Sequence, residues 1–264
     1  MADNRAILLL QTGDVPSGVM TGWGVPNFDR MFMDAMDATD ATDATDATDA
    51  IDAMDAADCN GCTARVIHAQ KERLPEDAAQ YAGIIVTGSP SMVSDREPWS
   101  EAAAAWLRRA IAHGAAVLGV CYGHQLVAHA LGGKVGWHPA GQELGTHLVR
   151  LTPPAMDHPL LAGLPREFPA NLAHSQSVLE PPDEAQTLAA SDHEPYQILA
   201  YSDKVLTLQF HPEFTGTIMQ AYVDYEAARQ KDGKPKRPVA LGAPVLDTPD
   251  ARRVLRNFAA AVRG

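Results

Sequence analysis

Long apolar runs are missing from this chain. Ala6 to Leu10, the apolar stretch nearest the start, is too short for a signal peptide or a membrane span, and nothing later reaches spanning length. A cytoplasmic protein with no membrane partner is therefore expected. Cysteine is also scarce. Three residues, Cys59, Cys62 and Cys121, do not make a disulfide framework in 264 residues, which agrees with a reducing compartment. Basic residues are outnumbered 21 to 33 by acidic ones and form no patch, so nucleic acid is not expected as a direct partner. What remains is enough chain for one large α/β domain or two small ones, with a sizeable core.

The negative charge is local. Nine aspartates recur at every third position from Asp34 to Asp58 and account for most of the formal net charge of −12. On a helix of 3.6 residues per turn, a period of three walks backwards by about 60° per repeat, so no lasting apolar face forms. Aspartate is also a poor mid-helix residue, and like charges repel. The tract at 34–58 is expected to be a low-complexity surface insertion, disordered or loosely helical, in a helix-to-strand connection. It lacks the glycine turn and terminal glutamate of a calcium loop. Cys59-Asn60-Gly61-Cys62 is a lone C-x-x-C with no second pair for zinc. A β-like run, Ala64 to His68, follows it where a redox dithiol needs a helix, so two thiols flanking a turn is the reading. No metal or other cofactor is expected.

The rest alternates. Ala6 to Leu10, Arg65 to His68, Gly83 to Thr87 and Ala115 to Val120 read as buried strands. A Gly/Pro-rich loop is expected from Gln11 to Pro26. Asn27 is placed to cap a helix with Phe28, Met31, Phe32 and Ala35 on one face, and Pro98 to open another that Gly114 ends. Strands alternating with helices imply an open, mostly parallel sheet covered by helices on both faces, with ligands at the carboxyl ends of its strands. After Gly133 the pattern changes to short β-like runs: Leu144 to Leu151, Leu188 to Ala190, Gln197 to Tyr201 and Lys204 to Phe210. Met219 to Ala228 reads as helix, Gln230 to Asp247 as loop, and Thr248-Pro249 as the cap of a last helix.

Chemistry concentrates where the strand ending at Val120 meets the helix that Gly132 and Gly133 stop. Gly119-Val120-Cys121-Tyr122-Gly123 has the form of a nucleophile elbow, with cysteine where hydrolases often carry serine. Such a turn tolerates no side chains at Gly119 and Gly123. It projects the Cys121 sulfur toward a helix N-terminus, where free N–H groups and the helix dipole favour an anion. The Tyr122 N–H would face a developing oxyanion. Alone, the motif fits a buried structural cysteine equally well. The chain has ten histidines, and one stands out by context: the alternating run KVLTLQF delivers His211-Pro212-Glu213 at its end. An imidazole steadied by a carboxylate two residues on, paired with the elbow, makes a Cys–His–acid triad of Cys121, His211 and Glu213.

GVCYGHQ, followed ninety residues later by LQFHPEF, resembles the class I glutamine amidotransferases, whose triad runs Cys-His-Glu in this order. The resemblance spans nearly the whole chain apart from the aspartate tract, which implies one amidotransferase-like domain over 1–264 with a flavodoxin-like, three-layer α/β/α fold. TGSP at 87–90 resembles the family's oxyanion turn, GQELG at 141–145 its E-x-G segment and AHSQSV at 173–178 its substrate loop. Carried over residue by residue, the N–H groups of Tyr122 and Ser89 would hold the oxyanion, with Gly88 allowing the turn. Gln125, His174, Ser175 and Gln176 would face the substrate. Two positions depart from the family pattern: Ser89 stands for a glycine, and Gln176 for an acidic residue of the biosynthetic members.

The implied reaction releases ammonia from glutamine through a γ-glutamyl thioester on Cys121. The chain would be a stand-alone domain most like the glutaminase half of GMP synthase, since it has no phosphate-binding G-x-x-x-x-G-K-[ST] and about fifty residues after Glu213. A synthase subunit could then take the ammonia. Two alternatives stay open: a γ-glutamyl peptidase acting on glutathione-like compounds, and a catalytically idle regulatory subunit.

Overall fold

Period-two alternation in the first strand divides the interior into two layers. In β1 (Ile7–Gln11) every residue is buried; Ile7 and Leu9 join one apolar cluster and Leu8 and Leu10 the other. A strand wrapped on both sides reads as a continuous apolar run, as this one does. These features come from a computed structural model that describes residues 5–37, 39–40, 63–231, 239–241 and 244–264.

After β1 come α1 (Ser17–Trp23), α2 (Phe28–Met36), β2 (Thr39–Asp40), β3 (Thr63–His68), β4 (Gly83–Val86), α3 (Pro98–Ala112), β5 (Val117–Val120) and α4 (Tyr122–Ala130). The second half adds β6 (Lys134–Trp137), β7 (Gln142–Leu151), β8 (Glu167–His174), β9 (Gln176–Glu180), β10 (Gln186–Ala190), β11 (Ile198–Ser202), β12 (Val205–Leu208), α5 (Gly216–Lys231), β13 (Val239–Leu241) and α6 (Pro249–Ala261). The main sheet runs β13-β7-β10-β11-β12-β5-β4-β1-β3-β2, with β8 paired to β7; β6 and β9 form a separate ribbon. From β2 to β12 the neighbours are parallel, and β10, β11 and the β7–β8 pair are antiparallel. Residues of α2 and α6 pack on one face and residues of α3 and α4 on the other. The result is an open, mostly parallel sheet between helical layers.

Local chemistry sets the boundaries. Asn27 accepts from the Phe28 N–H at 3.0 Å and starts α2, while Pro98 occupies the first turn of α3, where its missing N–H costs nothing. Three expectations need correction. The loop from Gln11 to Pro26 contains α1, which Gly24 ends in the left-handed conformation. The loop from Gln230 to Asp247 contains β13, which gains ladder bonds along β7. Thr248 makes no side-chain cap on α6; its hydroxyl lies 3.5 Å from Asn171 Nδ2 instead. The helix running toward the aspartate tract stops at Met36, with Asp37 at φ 53°. Most of the tract, and the Cys59–Cys62 pair, lie outside the described residues.

Candidate active site

The carboxyl ends of β4, β5 and β12 meet at one cleft because these strands are parallel neighbours. Val86 pairs with Gly119, Gly119 with Thr207, and Val120 with Leu208. The chain segments leaving Val86, Val120 and Leu208 therefore emerge at one edge of the sheet, and they carry Gly88-Ser89, Cys121 and His211 there. The cleft has a volume of about 170 Å³. A larger hollow of about 750 Å³ lies at the amino ends of β4 and β5, lined by Gly83, Ala115 and Lys204, and includes none of these residues.

Cys121 occupies the N-cap position of α4 at φ 51°, ψ −99°, a conformation that L side chains rarely adopt. Its neighbours enforce the turn. A Cβ on Gly119 would stand 2.6 Å from the Gly123 carbonyl oxygen, and one on Gly123 would stand 2.3 Å from the Val86 carbonyl oxygen. Both contacts are with backbone, which cannot swing away. Strain of this kind persists only where surrounding packing over-determines it.

The imidazole of His211 is held by a carboxylate. Nδ1 lies 2.7 Å from Glu213 Oε1, and Cys121 lines the same cleft, near enough to act on the charge of the ring. Phe214 stacks on the ring at 4.1 Å, and Phe28 lies parallel to it at 6.4 Å. A Cβ on Gly88 would come within 2.9 Å of His211 Cε1, so this glycine is required by the ring. Burial alone would push the imidazole down. The charges of Glu213 and Cys121 outweigh it and raise His211 to about 10.

His174 forms a second imidazole–carboxylate pair in the lining of the same cleft. Nε2 lies 2.9 Å from Glu143 Oε2, and Nδ1 lies 2.9 Å from the Gln176 carbonyl oxygen. Both neighbours are acceptors, so both nitrogens donate and the ring is a cation. Burial opposes that charge, but Glu143 outweighs it and His174 is raised. Glu143 also accepts from Ser191 Oγ at 2.9 Å and Gln197 Nε2 at 3.1 Å, and despite burial its carboxyl is lowered by His174. His124 follows the elbow closely but sits against β12, with Nδ1 2.8 Å from Thr207 Oγ1. Burial, with the charge of His174, drives it down to about 3, so it is neutral.

The expected oxyanion and substrate residues line the cleft as a group: Ser89, Tyr122, Gln125, His174, Ser175 and Gln176. Tyr122 sends its ring away, stacked on Trp99 with its hydroxyl 2.6 Å from Ser100 Oγ, so only its backbone serves the cleft. The side-chain amides are already engaged. Gln125 donates to the Gln176 carbonyl at 2.7 Å and to Gln209 Oε1 at 2.9 Å, and Gln176 donates to Ser94 Oγ. Sequence reasoning passed over Glu143, Phe28, Phe214 and the α5 residues Tyr222, Glu226 and Arg229. Glu143 lies inside the GQELG segment, and the α5 set shares i, i+4, i+7 spacing; these were the available signals. Among the described residues, no three His, Cys, Asp or Glu side chains cluster as a metal site, and no helix is long and apolar enough to cross a membrane.

Comparison with known proteins fits this geometry. A GMP synthase of Thermomicrobium roseum is 39% identical over 161 residues, 58% of this chain and 28% of the synthase. The chain thus spans under a third of that relative's length. Gamma-glutamyl peptidase 4 of Arabidopsis thaliana is 31% identical over 153 residues, 56% of this chain and 60% of the peptidase. The solved structure of a glutamine amidotransferase from Methylobacillus flagellatus superposes with a TM-score of 0.65 at 19% identity, covering 98% of this chain and 94% of that one, and so shares the fold. The sequence model for "Glutamine amidotransferase class-I" matches residues 52–227, two-thirds of the chain, from the aspartate tract through Cys121 and Glu213 into α5, and the chain belongs to that family.

Proposed function

We propose that this protein is a cysteine hydrolase of γ-glutamyl amides, with glutamine as first substrate. One observation carries the reading: Cys121 and His211 line one open cleft, and the imidazole is held from behind by Glu213. The Cys121 thiolate attacks the side-chain amide carbon. The N–H groups of Tyr122 and Ser89 hold the resulting oxyanion. Imidazolium His211 gives its proton to the departing nitrogen, and ammonia leaves a γ-glutamyl thioester. Water, deprotonated by the now neutral His211, attacks the thioester and releases glutamate and the Cys121 thiolate. Glutamine and water become glutamate and ammonia, and Glu213 keeps the imidazole oriented throughout. The chain acts in the cytoplasm as one domain.

Two fates of the released nitrogen are compatible with this chemistry. A synthase subunit would consume the ammonia, as the similarity to GMP synthases suggests. Hydrolysis of a γ-glutamyl peptide would instead be an end in itself, and the similarity to the Arabidopsis peptidases favours that second reading. Ammonia release from glutamine and amine release from a γ-glutamyl peptide, each assayed with wild type and Cys121→Ala, separate the two. The variant should lose about 10³-fold or more of whichever activity wild type shows. Undiminished turnover by Cys121→Ala rejects the mechanism.

A further inference from the structure

Helix α5 turns an unusual side toward the cleft. Met219 and Ala221 are buried in the core. Tyr222, Tyr225, Glu226 and Arg229, at i, i+3, i+4 and i+7, share one face, and all four line the cavity that contains Cys121. Three features mark this face as built for a ligand. The Tyr222 hydroxyl is buried and has no hydrogen-bond partner among the described residues. A donor left this way in a native fold calls for a partner, because leaving it unmet costs stability. Glu226, with its side chain 19% exposed, accepts from Arg229 Nη1 at 2.7 Å, and the guanidinium rests 5.5 Å over the Tyr225 ring. Tyr225 is itself fixed, edge-on to Trp23 at 6.3 Å and so close to α1 that a Cβ on Gly18 would meet it at 2.5 Å.

The remaining lining shows what this face adds. Among the described residues that line the cleft, Glu226 is the one carboxylate and Arg229 the one Lys or Arg. The amides of Gln125 and Gln176 are spent on internal hydrogen bonds. A γ-glutamyl compound brings two opposite charges on one carbon, an α-ammonium and an α-carboxylate, and needs two opposite charges to meet them.

We propose that the cleft-facing side of α5 recognises the free amino-acid end of the substrate, with Arg229 taking the α-carboxylate, Glu226 the α-ammonium, and the Tyr222 hydroxyl donating to the bound molecule. The inference rests on the γ-glutamyl hydrolase reading and names its specificity element. Binding opens the Glu226–Arg229 pair to admit a zwitterion, which leaves four charges of alternating sign and buries no net charge. Both ends of the substrate are then read, so losing either group should be felt.

The test uses the full chain and three probes: L-glutamine, 4-aminobutanamide, which lacks the α-carboxylate, and glutaramic acid, which lacks the α-amino group. Wild type should prefer glutamine to each analogue by at least about tenfold in kcat/KM. Arg229→Gln should erase the preference over 4-aminobutanamide, and Glu226→Gln the preference over glutaramic acid, with the loss falling on KM; circular dichroism checks that both variants are folded. Preferences unchanged in both variants overturn the proposal and leave the hydrolase reading standing. Calorimetric titration of L-glutamine into Cys121→Ser separates the two claims. Binding that vanishes with Arg229→Gln, when wild type shows no turnover, supports the α5 site and removes the hydrolase. Neither binding nor turnover removes both.

Discussion

Replacing Cys121 by alanine and by glycine separates backbone strain from chemistry. Both variants lack the sulfur, so both lose the proposed nucleophile; the difference between them is one Cβ at φ 51°, ψ −99°. A non-glycine residue in so sparsely populated a region costs about 1–3 kcal/mol. Glycine carries no such cost, but its freer unfolded chain forfeits about 0.4–1 kcal/mol relative to alanine. The difference should favour Cys121→Gly by about 1 kcal/mol, and for a domain of this size that is a rise in Tm of about 2–4 °C over Cys121→Ala. Urea unfolding followed by circular dichroism reads it as a shift in midpoint at constant slope. Anywhere else in a regular element alanine would win. If Cys121→Ala is the more stable of the two, the turn is not held in a strained conformation, and the argument for a forced elbow fails.

Two other perturbations test the imidazole. Gly88→Ala puts a methyl group 2.9 Å from His211 Cε1, against a ring already backed by Phe214, and displacement of the ring should lower kcat by about tenfold or more while the protein stays folded; unchanged kcat would mean the ring has room. His211 is raised from its ordinary value of 6.5 to about 10, so the stability its pairing supplies is fully present below pH 6.5 and lost as pH rises through 10. The stability of wild type minus that of Glu213→Gln, from urea midpoints, should therefore be largest near pH 6 and shrink toward pH 10, and a difference that grows with pH would contradict the assignment.

What could be read from the sequence was what is local. The elbow is five consecutive residues whose glycines are demanded by close contacts at the turn, and Val117–Val120 is apolar because both of its faces are covered. His211 and Glu213 are two apart, so their pairing was legible too. The misses are contacts between distant segments. Strand β8 was passed over because Pro169 interrupts its pattern; it survives because β8 pairs with β7 alone, opposite Leu148, and an edge strand tolerates a missing donor. The cleft face of α5 was passed over for a different reason. Tyr222, Tyr225, Glu226 and Arg229 look like an ordinary solvated helix face until α1 and strands β7 and β8 are placed against the helix.

Three histidines crowd the elbow, and the proposed reaction needs one that can both accept and return a proton. His124 is spoken for by Thr207 and is held neutral by burial. His174 lines the cleft, but Glu143 and the Gln176 carbonyl occupy both of its nitrogens, so it has no lone pair to offer and acts as a positive charge. In His211 one nitrogen is tied to Glu213 and Nε2 is left for the sulfur. The assignment of the base therefore follows from counting acceptors around each ring rather than from proximity. The same count sets the second dyad apart: with both nitrogens engaged, His174 brings a positive charge to the cleft without competing for the proton of the proposed reaction.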